Sequence, residues 1–219
     1  MKRILLFLLT SLLAISIVSG CKKMPTVDKS LKPGECFSQY DKLTHLYGKP
    51  WQQALKELGI SMQELDAEGL NYLGVPLQEN YAGISFKTAL RFGGEDNSLI
   101  GVEYTASYNY PEEEEKLLRD LVMINHELIA DFGKSSDSSL VFNWAEKILG
   151  EKWNRDIAYW QDMQILKRLL DADYDGTLLR WNLSSVAEEN VQKTRTEHFM
   201  SVGISIDREA DIAVITIGY

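Results

Sequence analysis

The chain has 219 residues, 45% of them hydrophobic and 25% charged, with a formal net charge of -9. That size and balance fit a folded chain with one generous core or two small ones, rather than a disordered polymer. Asp and Glu number 32 against 23 Lys and Arg, which argues against nucleic acid as a partner and against broad contact with an anionic membrane surface.

The chain opens with a basic pair, Lys2 and Arg3, then an uncharged apolar run from Ile4 to Val18, then Ser19, Gly20 and Cys21. A run this short behind a basic start is the layout of an export signal, not of a membrane span. The VSGC at 18–21 resembles the lipobox of bacterial lipoprotein precursors. The resemblance implies that residues 1–20 are removed as a signal peptide and that Cys21 carries diacylglycerol on its sulfur, with a further acyl chain on the new amino terminus. The expected location is then the extracytoplasmic side of the cell envelope, held to the membrane by lipid. Two or more chains anchor stably at about 0.8 kcal/mol per buried methylene, and Lys22 and Lys23 each add roughly 1 kcal/mol near acidic headgroups. The alternative is an ordinary secretory signal in which Cys21 is incidental. Residues 21–35 form the lipidated tether, where Pro25, Pro33 and Gly34 discourage regular structure. With Cys21 acylated, Cys36 has no partner in the chain. Its surroundings, GECFSQYDK, supply no clear base, which favours a buried thiol over an intermolecular disulfide or a nucleophile.

Residues 36–110 read as a first unit. Phe37, Tyr40, Leu43, Leu46 and Tyr47 form a helical stripe stopped by Gly48 and Pro50. ALKELG at 54–59 is a second helix end, and Ser61 with Glu64 fits a capping box. Ile84, Phe86, Leu90 and Phe92 then alternate with polar residues, GGEDN turns, and Ile100 to Tyr108 alternates again, which predicts an antiparallel hairpin. Residues 111–219 read as a second unit. Pro111 suits a first helical position, and the four glutamates at 112–115 suit the positive end of a helix dipole. Leu117, Leu121, Leu128 and Phe132 mark its buried face up to Gly133. Asn143 with Glu146 fits another capping box, TLLRWNL at 177–183 is a strand, and Met200–Ile206 and Ile212–Tyr219 flank the turn DREAD.

Words recur between the units: LTHLYGKP at 43–50 against LIADFGKS at 128–135, and ALKELG at 54–59 against AEKILG at 145–150. The expectation is an α+β fold of two tandem helix-helix-antiparallel-hairpin units, helices packed on sheet. This layout resembles tandem lipoprotein and inhibitor domains of the SmpA and beta-lactamase-inhibitory-protein kind. The resemblance implies a protein-binding concave sheet face and carries no site residues across.

Asp171, Asp173 and Asp175, before Gly176, are spaced like the opening of a Ca²⁺ loop, and Leu166, Leu169 and Leu170 fit its entering helix. The match fails where the closing glutamate belongs, since that residue is Asn182, and Leu179 replaces a polar position. LDAEG at 65–69 repeats a similar turn. We therefore expect an acidic turn with at most weak Ca²⁺ affinity and no other cofactor. His126-Glu127 begins a zinc motif that Ala130 ends, and no nucleophile elbow, phosphate loop or dinucleotide fingerprint occurs, so no catalytic residue is assigned. Trp51 and Trp144 read as packing residues. Trp153 and Trp160, in the polar stretch EKWNRDIAYWQD, are the candidate binding pair. The leading expectation is a non-catalytic, membrane-anchored binding module for a protein or envelope partner. The alternatives are a small-ligand or glycan receptor using Trp153 and Trp160, or a cell-envelope enzyme.

Overall fold

Alternation along six long strands builds a single antiparallel sheet. The computed structural model describes residues 31, 33–67, 71–135, 139–150, 159–182 and 199–219. The strands are β1 (Asp66–Ala67), β2 (Tyr72–Tyr81), β3 (Ile84–Gly93), β4 (Ser98–Asn109), β5 (Gly176–Asn182), β6 (Phe199–Asp207) and β7 (Ile212–Gly218), in the spatial order β1-β2-β3-β4-β7-β6-β5. The helices are α1 (Pro33–Cys36), α2 (Tyr40–Thr44), α3 (Trp51–Leu58), α4 (Glu114–Phe132), α5 (Ser139–Leu149) and α6 (Met163–Asp171). The protein is therefore α+β.

Two meanders, β2-β3-β4 and β5-β6-β7, meet at the pairing of β4 with β7, where Thr105 faces Thr216 and Ser107 faces Val214. The two predicted hairpins are present as β3-β4 and β6-β7. Strand β2 had no such signal: Gly74 and Pro76 interrupt its alternation, and a bulge between Val75 and Gln78 shifts its register against β3.

One face of the sheet holds the core. Leu90, Val102, Tyr104, Val202, Ile215 and Ile217 point into it, and Leu117, Leu121, Ile124 and Leu128 of α4 meet them, all essentially inaccessible. Phe37 sits at its centre, 4.8 Å from Tyr81 and 5.4 Å from Tyr104 between ring centroids. The expected long first helix is instead two short ones, α1 and α2, joined through Phe37, Ser38 and Gln39. Leu43 and Leu46 of the predicted stripe are fully buried.

Three local expectations are revised. Helix α4 begins at Glu114, three residues past Pro111, because Glu113 closes a turn with Asn109: its carboxylate accepts from the Asn109 N–H at 2.9 Å. Asn143 and Glu146 lie inside α5 rather than at its start. Gly133 does end α4 with φ +77°, but its ψ of -165° is extended rather than left-handed helical. The Ser61–Glu64 capping box is present, on a 3-10 turn of three residues, Met62–Glu64.

Candidate functional site

Most strand residues that point away from the core in the middle of the sheet are small or polar. Their rows can be read across the sheet from the register: Glu103 lies opposite Gly218, Gly218 opposite Ser201, and Ser201 opposite Arg180. The next row runs Thr105, Thr216, Gly203 and Thr177. These residues are half-buried rather than core, and all of them but Thr105, with Arg91, Ile100, Gly101, Phe199 and Asp175, line a depression of about 750 Å³. Its size falls in the range of ligand-binding clefts.

The walls are charged. Arg91 Nη1 donates to Glu103 Oε1 at 3.0 Å on β3 and β4. On the opposite side, the Arg180 guanidinium lies 3.6 Å from the centroid of the Phe199 ring, a stacking geometry that holds the cation's plane. Strand β5 is itself held in place, since the Ser135 hydroxyl donates to the Arg180 carbonyl at 2.9 Å and accepts from its N–H at 3.1 Å. Neighbouring strands are about 4.8 Å apart, so the row from Arg180 to Glu103 spans about 14 Å.

Two floor glycines are accounted for by close backbone packing. A Cβ on Gly203 would come within 3.0 Å of the Gly176 carbonyl oxygen, and one on Gly101 within 3.2 Å of that of Tyr219. Gly218 differs. A Cβ there would meet only ordinary contacts, the nearest at 3.6 Å, and its φ is not positive.

Of the described residues singled out from sequence, Asp175 lines the depression and Trp160, Asp171 and Asp173 lie elsewhere. Asp171 Oδ1 is 3.4 Å from Lys167 Nζ, and Asp173, at φ +59°, pairs with Arg208. Asp175 sits on the rim of the depression. Residues from Gly176 to Asn182 run as strand β5, which carries Asn182 away from the aspartates. Among the described residues no group of three or more His, Cys, Asp or Glu is placed to hold a metal ion. Trp160 is half-buried against the core; Trp153 and Cys21 lie outside the described residues. Cys36 is half-buried beside Asp131, and burial together with the Asp131 carboxylate pushes its thiol up to about 12, so it stays protonated at neutral pH. Tyr81 donates to the same Asp131 at 2.7 Å.

The depression had no sequence signal of its own. Its floor consists of glycine, serine and threonine on strands distant in sequence, and only the β4–β7 pairing brings them together. No protein-family model, no curated protein and no solved structure matches this chain.

Proposed function

We propose that this chain is a lipid-anchored extracytoplasmic binding module that recognises a protein partner through the outward face of its sheet, without catalysing a reaction. The observation that carries the reading is the depression itself: a small-residue floor across four strands, between two arginines, opposite the face that the helices cover. A surface of that kind admits another protein's side chains without rearrangement, which lowers the ordering cost of binding. The anchor rests on the basic start, the apolar run and VSGC at 18–21. Among the described residues no helix is long and apolar enough to cross a membrane.

The same reading includes descent of the two halves from one unit. Each meander contributes its last strand to the central pairing. Gly48 and Gly133, from the matched aromatic-Gly-Lys words, have φ of +78° and +77°, and Gly59 and Gly150, from the second matched words, have +70° and +67°.

Two experiments test the proposal. Cys21→Ala should leave the protein unprocessed or released from membranes; fractionation and lipid mass identical to wild type would refute the anchor. A photo-crosslinking residue at Thr216, on the outward face, should capture a defined partner in intact cells, whereas one at Met123, exposed on α4, should not. Capture from Met123 alone would move the interface to the helices.

A further inference from the structure

We draw no further inference here: the strongest candidate, the depression floored by Thr177, Ser201, Gly203, Thr216 and Gly218 on the outward sheet face, belongs to the site already described and sets Glu103 and Asp175 against Arg91 and Arg180, so nothing in the structure shows what covers it.

Discussion

At the scale of single residues, the core contains polar groups whose partners decide stability. Thr88 is 1% exposed and its hydroxyl has no hydrogen-bond partner among the described residues; Asn125 is fully buried and both of its amide atoms lack one there too. An unsatisfied buried polar group costs about 1–3 kcal/mol. Thr88→Val keeps the shape and removes the hydroxyl, so it should stabilise the fold by about 1 kcal/mol in urea unfolding. Asn125→Leu should stabilise at least as much unless the added volume strains α4; a loss in both variants would mean that ordered water satisfies these atoms. Glu79 is the contrasting case. It is 3% exposed, but its carboxylate accepts from the Ser38 hydroxyl at 3.0 Å and the Gln39 N–H at 3.1 Å, which ties the α1–α2 junction to β2. Glu79→Ala strands those donors and should cost roughly 1–3 kcal/mol, read as a lower urea midpoint with an unchanged slope.

At the scale of elements, helix ends and strand pairs were legible to different degrees. The hairpins β3-β4 and β6-β7 were readable because period-two alternation continues on both sides of an acidic turn. Strand β2 was not, because its bulge puts Pro76 and Leu77 where an alternating pair should stand. Pro111 and Asn143 misled for a common reason: each is a favourable end residue, but end preferences of about 1 kcal/mol yield to tertiary packing. Gly133 tests the turn after α4. Nothing lies within 4 Å of where its Cβ would be, so Gly133→Ala should cost about 1–3 kcal/mol from backbone strain alone. The measurement is the thermal midpoint; no change would mean that the turn relaxes to negative φ. Arg208 joins elements distant in sequence: it pairs with Asp173, donates to the Leu170 carbonyl at 2.9 Å and lies over the Tyr110 ring. Arg208→Ala should lower the thermal midpoint, and Arg208→Lys should recover little, since an ammonium cannot keep all three contacts.

At the scale of the whole molecule, buried phenols set the alkaline limit. Burial raises the ionisation of Tyr81, Tyr104, Tyr108, Tyr174 and Tyr219 above the ordinary value of 10.0, and at Tyr81 and Tyr108 the neighbouring Asp131 and Asp120 carboxylates raise it further. The folded state therefore keeps protons that the unfolded state loses above pH 10. Stability is unaffected below that value and falls as pH rises past it, by up to about 1.4 kcal/mol per pH unit for each phenol. The absorbance of these five phenols should rise together with loss of structure in one cooperative step, above the gradual ionisation of the more exposed tyrosines. Complete ionisation of all ten tyrosines in a still-folded protein would contradict the burial.

The seam between β4 and β7 has a consequence in time. The chain emerges N-terminus first, and roughly a hundred residues separate Asn109 from Ile212, so at 5–20 residues per second β4 waits on the order of ten seconds for its neighbour. Through that interval its free edge is a template for wrong pairing, and the last pairing to form is also the most non-local, which slows closure. The residues that make the outward row polar, Glu103, Thr105 and Ser107, are thus what the waiting strand presents to its surroundings. The face proposed to bind a partner in the finished protein would then also help keep the half-made one soluble.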